Sequence, residues 1–563
     1  MKATIINRLA RQGARLSVAI CALTTVSLLQ AGPIATNPPG FKIIKPHTGG
    51  LSPKVDIGSV TRQGTNLILE IGGLRGPYGV ERQPAIGQPW ADMGLSIDAT
   101  TLTVPMVGDM GLLRVRGQSY NYVGSTVCSM CHSSVHQQWT NTAHAKAYQT
   151  LKNIGMNNNA ACLPCHTVGF GSGGFVNEST TPQLAGVQCE NCHGPGGQHL
   201  TNPFMIKPII TQSGMMCGGC HTDAHHPTYD EWSESLHSRV DSHVADYFKS
   251  SSGEARMWSC GICHSGAVRD ALIKQLSVTN GTVVLPSGED AANTGVTCVT
   301  CHDSHEVTAN DPQLRYPLYS TNYYNFLAPT NITTFASRYD PNVNLCGQCH
   351  NLRGGAWTDT SRPPHHSPQY NMLTGTGGYP NIADNSQTIA THGLAIEKQC
   401  AHCHVYSVSV GSPTEANPNY TGHKFEVRFE ACEECHGSAE VGELLAEGTQ
   451  TVISNKIQEV VALLRNWGVS NAPSALRIKS GPLAWEYSTV GQLSTDLAAT
   501  ITNKPPSSAE QAQIPAAIKQ ARYNLYIVEH DGSKGVHNGK YARYLLNVAK
   551  TNVLAELAKP PLP

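Results

Sequence analysis

Charge is scarce in this chain. Asp, Glu, Lys and Arg make up 14% of it, against about 25% in an average globular protein. The formal net charge is −1, and no long run of one sign occurs. This balance gives no footing for a nucleic-acid partner. Long apolar runs are scarce too. The one clear case, Leu16 to Leu29, follows Lys2, Arg8, Arg11 and Arg15. It falls short of the about 20 residues that a membrane span needs. It reads as the h-region of a secretory signal peptide covering residues 1–35, with cleavage after Ala31. A lipoprotein anchor at Cys21 is the alternative, and Ile20 before it argues against that. No later stretch is apolar enough to cross a bilayer, so no transmembrane segment is expected once the signal is removed.

Cysteine, by contrast, is abundant and ordered. Of 19 cysteines, all but Cys21 fall into nine Cys-x-x-Cys-His motifs. They are Cys128-Cys131-His132, Cys162-Cys165-His166, Cys189-Cys192-His193, Cys217-Cys220-His221 and Cys260-Cys263-His264. The rest are Cys298-Cys301-His302, Cys346-Cys349-His350, Cys400-Cys403-His404 and Cys432-Cys435-His436. We number them sites 1 to 9. A disulfide framework would not place a histidine after every second cysteine. Zinc sites pair one Cys-x-x-Cys with another, or with spaced histidines, and do not need the adjacent one. The spacing is that of c-type haem attachment, in which two thiols bond the porphyrin and the next imidazole ligates the iron. The expected cofactors are nine covalently attached c-type haems. Their rings would supply apolar surface that a segment this rich in cofactors cannot draw from side chains.

Between residues 40 and 120 the pattern differs. Val55, Ile57 and Val60 lead to a polar turn at residues 62–66. Leu67, Leu69 and Ile71 then alternate, as do Leu95 with Ile97 and Leu102 with Val104. This period of two predicts short strands and a small β-sandwich. Residues 121–310 hold sites 1 to 6 and read as two copies of a trihaem module. Trp139 to His144 and Trp232 to His237 both follow W-x-x-[S/T]-x-H. Gly186-Val187-Gln188-Cys189 introduces site 3, and Gly295-Val296-Thr297-Cys298 introduces site 6. Residues 311–440 hold sites 7 to 9, whose spacing shows no third copy. Residues 441–563 read as helical. Ile453, Ile457, Val460 and Leu464 repeat at 3–4 spacing with Gly468 as a stop. Ile518 to Val528 forms a second helix, with Pro515 in its first turn. Leu546, Ala549, Val553 and Leu557 mark a third, ended by Pro560-Pro561. The fold class is thus a multihaem cytochrome of loops and short helices around stacked haems, with an N-terminal β-sandwich and a C-terminal helical region.

Sixteen histidines lie outside the motifs, more than nine irons can use. The expected distal ligands are His144, His199, His226, His237, His305, His366, His392, His423 and His537. His144 and His237 come from the repeated W-x-x-[S/T]-x-H. His305 is too near His302 to reach the far face of that same iron, so it serves a neighbour. His226 and His366 are choices within His225/His226 and His365/His366. His136, His402 and His530 are reserves. The 11 methionines show no pattern tied to the motifs, so methionine ligation, which raises potential, is not expected.

The stretches WTNTAH, GVQCENCHGPGGQH, RPPHHSPQ and HDGSKGVHNGKYARYLL resemble the multihaem cytochrome c superfamily. That group holds hydroxylamine oxidoreductase, pentahaem nitrite reductase and the tetrahaem carrier of ammonia oxidisers. The resemblance covers roughly residues 120–563. It implies closely packed, mostly bis-His haems and a C-terminal part whose His537 reaches back to a haem. Family nitrite reductases carry a Cys-x-x-Cys-Lys site, and none occurs here.

The expected function is electron transfer outside the cytoplasm, in the periplasm or at the cell surface. Partners would be other redox proteins or extracellular acceptors. One rival is an enzyme acting on a small nitrogen or sulfur compound at a five-coordinate haem. A second is the self-associating subunit of a conductive filament, joined by His47 ligating a haem of the next copy.

Overall fold

The computed structural model describes seven strands between residues 41 and 117. From 121 to 563 it describes all but residues 202, 205, 206, 209, 277–282, 309–311, 316–344, 354–356, 358–361, 381–387, 481, 482 and 489–504. The signal segment and His47 lie outside the described residues.

The strands are β1 (Phe41–Ile43), β2 (Val55–Gln63), β3 (Asn66–Gly73), β4 (Tyr78–Gln83), β5 (Ala91–Ile97), β6 (Thr101–Pro105) and β7 (Gly111–Gly117). They form two sheets, one ordered β1-β7-β4-β5 and one β2-β3-β6. β2 and β3 make an antiparallel hairpin closed at Gln63 and Asn66. Alternation along β3 buries Leu67 and Leu69 completely and leaves Glu70 between turns of the pleat exposed. β3 also packs against the short helix Gly214–Gly218, which opens site 4.

The C-terminal region carries the conventional core. Its first helix, Ala439–Ser470, begins where the Ser438 hydroxyl accepts from the Val441 N–H. Ile453, Val460 and Leu464 are buried along one stripe. The helix runs through Gly468, which is buried beside Trp467, and stops at Ser470. The packing there overrides the expected glycine stop. The second helix is Ala516–His530. Pro515 caps it from extended backbone, one position ahead of the expected first turn. The third, Gly539–Leu557, starts with the Asn538 side chain accepting from the Tyr541 N–H at 3.0 Å and ends before Pro560. Trp467, Trp485, Tyr487, Tyr526 and Tyr541 fill the space among these helices. Each such side chain contributes on the order of 1.5–3 kcal/mol by burial.

Among the described residues of 121–440 there are smaller clusters, one around Tyr148, Leu151, Phe175 and Leu184 and one around Phe248, Met257, Val268 and Leu272. Many other side chains there wall a cavity.

Candidate haem sites

That cavity is continuous, about 3850 Å³, and the histidines of all nine motifs line it. The motifs sit on short helical turns such as Cys189–His193, Cys298–Cys301, Cys400–His404 and Glu433–His436. A helical turn places residues three apart on one face, so both sulfurs of a motif point the same way and the histidine follows at once. Around site 3 the turn is fixed by a reciprocal cap between Gln188 and Asn191.

The imidazoles meet in pairs. Centroid separations are 6.5 Å for His132 and His199, 6.0 Å for His193 and His305, and 6.0 Å for His221 and His144. They are 6.3 Å for His302 and His423 and 6.1 Å for His350 and His237. His404 and His537 lie 6.2 Å apart, as do His436 and His392. Each pair joins one motif histidine to one histidine outside the motifs. Two imidazoles on opposite sides of one metal ion, each bonded at about 2 Å, have centroids about 6 Å apart. The separations fit an intervening iron.

Proton placement agrees. Nδ1 of His166, His302 and His404 lies 2.9, 2.8 and 2.9 Å from the carbonyls of Ala147, Pro312 and Phe425. A carbonyl only accepts, so each Nδ1 carries the proton and Nε2 keeps its lone pair. His423 donates likewise to the Thr421 carbonyl at 3.1 Å. His537 Nδ1 lies 2.6 Å from Asp531 Oδ1, a carboxylate that is itself buried. Burial, then neighbouring imidazoles, lower His221 and His237 to about 4. Both are neutral at pH 7, as a ligand must be.

Two buried carboxylates position this machinery, and nothing in the sequence pattern singles them out. Glu231 accepts from the N–H of His423 and from the N–H and hydroxyl of Thr421, each at 2.8 Å. It thereby aims His423 at His302. Glu190 accepts from the N–H groups of Val123, Gly124 and Gly196 at 2.7 to 3.1 Å, tying the entry to site 1 to the loop after site 3.

The two W-x-x-[S/T]-x-H segments make the same bonds. Trp139 Nε1 donates to Val187 O at 3.1 Å and Trp232 Nε1 to Val296 O at 2.9 Å. Thr142 and Ser235 each donate to the carbonyl of their tryptophan. Gly186, at φ +91°, and Gly295 let the backbone pass so near Ala145 O and His237 O that a Cβ would sit 2.7 and 2.4 Å from them.

Sites 2 and 5 differ. Among the described residues, His166 and His264 face no second imidazole at 6.0–6.5 Å. His226 is within electrostatic reach of His166 but also lies 6.4 Å from His221. Only five positions separate His226 from His221, too few to reach the far face of the same iron. His366 is the imidazole with the largest influence on His264; His365 stacks on it at 4.6 Å with its Nδ1 held by Ser367 Oγ at 2.7 Å. Among the reserves, His136 lies against Trp139. His402 has Nε2 2.9 Å from Ala431 O, which occupies the atom a metal would need. His530 is 6.3 Å from His366 and 5.2 Å from Tyr526.

The family profile "Cytochrome c554 and c-prime" matches residues 127–194 and 345–437. The chain is 41% identical to cytochrome c-554 of Nitrosomonas europaea over 91 residues, 13% of this chain and 39% of that relative. It is 28% identical to the multihaem cytochrome MtrA of Shewanella baltica over 291 residues, 43% of this chain and 76% of MtrA. The chain thus spans well under half of the first relative's length. Among solved structures, the outer cell wall cytochrome OcwA aligns with a TM-score of 0.48 and 19% identity, over 77% of this chain and 99% of OcwA. The undecahaem cytochrome from the S-layer of Carboxydothermus ferrireducens aligns with a TM-score of 0.42 and 17% identity, over 89% of this chain and 62% of that one. The family match runs through six of the nine attachment motifs, and both sequence relatives bear cytochrome names; over these segments the chain is similar to multihaem c-type cytochromes.

Proposed function

We propose that this chain is a nonahaem c-type cytochrome that carries electrons along bis-His haems outside the cytoplasm, in respiratory or extracellular electron transfer. The observation that carries the reading is the set of seven imidazole pairs at 6.0–6.5 Å, all lining one cavity. Site by site, His199, His305, His144, His423, His237, His537 and His392 would stand opposite the motif histidines of sites 1, 3, 4, 6, 7, 8 and 9. His226 and His366 would serve sites 2 and 5. The bound haem supplies one-electron redox chemistry at its iron. The protein's part is to attach, ligate and orient. The cysteines would attach each ring, the paired imidazoles would hold its iron, and the Nδ1 acceptors keep His166, His302, His404, His423 and His537 in one tautomer.

Residues 40–120 would form a β-sandwich domain, 121–310 two trihaem modules, 311–440 the segment of sites 7 to 9, and 441–563 a helical support. Among the described residues no helix is long and apolar enough to cross a membrane. Export to the periplasm or cell surface, with redox proteins or extracellular acceptors as partners, follows from the need to join thiols to haem outside the cytoplasm. The rival enzyme reading draws on sites 2 and 5, where no opposing imidazole stands at the common separation. Electron paramagnetic resonance of the oxidised protein separates the two. Nine low-spin haems, none binding carbon monoxide rapidly when reduced, are expected. One stoichiometric high-spin centre that binds carbon monoxide would establish the enzyme reading instead.

A further inference from the structure

Contacts between sulfurs of different motifs follow a fixed register. The turns that carry the first cysteines of sites 1 and 3, Ser125–Cys128 and Cys189–His193, touch one another. So do those of sites 4 and 6, Gly214–Gly218 and Cys298–Cys301, and the first cysteines of sites 7 and 8, Cys346 and Cys400, lie close together. The second cysteines of sites 2 and 4 meet, Cys165 with Cys220. Sites 5 and 7 repeat this with Cys263 and Cys349. Here the flanking bonds repeat too. Cys165 Sγ lies 4.0 Å from Gly219 O and Cys263 Sγ 3.6 Å from Gln348 O, each carbonyl one residue before the partner cysteine. A third relation links modules end to end. Cys192 lies near Cys217 and Cys220, Cys301 near Cys346 and Cys349, and Cys403 near Cys432. In the cytochrome these sulfurs are thioethers, so what survives is their proximity, which sets neighbouring haem edges together.

We infer that the nine sites form one main line, 1–3–4–6–7–8–9, with sites 2 and 5 as side branches and a third side branch missing beside site 9. The inference rests on the haem-attachment reading above. In this register site 8 is the counterpart of sites 3 and 6, and site 9 of sites 1, 4 and 7. Sites 7 and 8 are then a third module without its middle member. Solvent exposure provides an independent check. In the counterparts of site 9, the second cysteine is covered by a side branch at sites 4 and 7. Among the described residues nothing covers it at site 9 or at site 1. Of the eighteen motif cysteines, only Cys131 and Cys435 are exposed. The line therefore comes to the surface at both ends, and these are the two places where one-electron partners would meet it.

The test is to remove or alter one site and count which others respond. Cys162→Ala with Cys165→Ala deletes site 2. His226→Met leaves nine haems and raises the potential of site 2 alone. Either is expected to move the haem-methyl resonances of site 4 only. His144→Met, acting at site 4, is expected to move those of sites 2, 3 and 6. A site 2 variant that disturbs several sites, or a site 4 variant that disturbs one, overturns the branching. Haem content by the pyridine haemochrome assay is read separately on the parent. A count other than nine would overturn the haem-attachment reading, whatever the pattern of shifts.

Discussion

Asp531→Asn tests how the protein tunes one site through a second layer of contacts. Asp531 is buried, and its Oδ1 lies 2.6 Å from His537 Nδ1. Burial lowers the affinity of His537 for a proton, but the Asp531 charge and hydrogen bond outweigh it and the net shift is upward. One hydrogen bond, one imidazole and one metal bond of about 2 Å put that charge about 7 Å from the iron of site 8. At an effective dielectric of about 20, a unit charge at about 7 Å is worth about 2.4 kcal/mol. For a one-electron couple, at about 59 mV per tenfold, this is on the order of 100 mV. A negative charge favours the ferric state, so its loss raises the potential. Asparagine keeps an oxygen to accept from Nδ1–H, which leaves the ligand in place. The assay is a redox titration followed by electron paramagnetic resonance, so that site 8 is read apart from the others. One low-spin centre should move up by about 100 mV while the rest stay put. An unchanged or lowered potential would refute the assignment of the Asp531–His537 pair to an iron.

Replacing His144 or His226 with Ala should each create one high-spin haem that binds carbon monoxide; a variant that stays wholly low-spin removes that histidine from the ligand set. Burial and Glu486 push the Glu529 carboxyl up to about 8, so folding favours its protonated form. That contribution is fully present below the ordinary value near 4.5 and is lost as pH rises through about 8. The melting midpoint of Glu529→Gln should therefore fall less than the parent's over that interval, and an equal fall in both would exclude the role. Under the filament reading, His47→Ala would shrink the particles seen in solution and leave one haem high-spin, whereas monomeric, fully low-spin protein from both parent and variant would exclude His47 as the link.

What could be read from the sequence is what covalent chemistry fixes locally. Attachment needs two cysteines and a histidine at set spacing, so all nine motifs are visible without a fold. The strands at Val55 to Ile71 and the helix around Ile453 show through their apolar periods. The distal side is harder: His423 carries no local mark, and His199 and His537 stand out only through the stretches GVQCENCHGPGGQH and HDGSKGVHNGKYARYLL that carry the resemblance. The repeated W-x-x-[S/T]-x-H gives away His144 and His237 only because the same tryptophan bond to a valine carbonyl recurs in both copies. Glu231 and Glu190 stay hidden because their role is to accept backbone N–H groups, which any sequence can supply. The choice between His225 and His226, or His365 and His366, turns on side-chain direction in irregular loops, where no periodicity applies.

Distal ligation also explains how so loop-rich a segment holds together. In each of the seven pairs the second imidazole comes from outside the turn that carries the first. His144 of the first module faces His221 of the second, and His237 of the second faces His350 beyond it. His305, just past site 6, faces His193 of site 3, and His537 from the helical region faces His404. An iron in each of these four gaps would thus clasp two modules together. Apolar burial stabilises the helices of residues 441–563, where Trp467, Leu525 and Leu545 pack together. In residues 121–440, on the proposed reading, ligand bonds between modules would take over that task. The histidines that hold the modules in register would then be the ones that ligate the irons along the electron path.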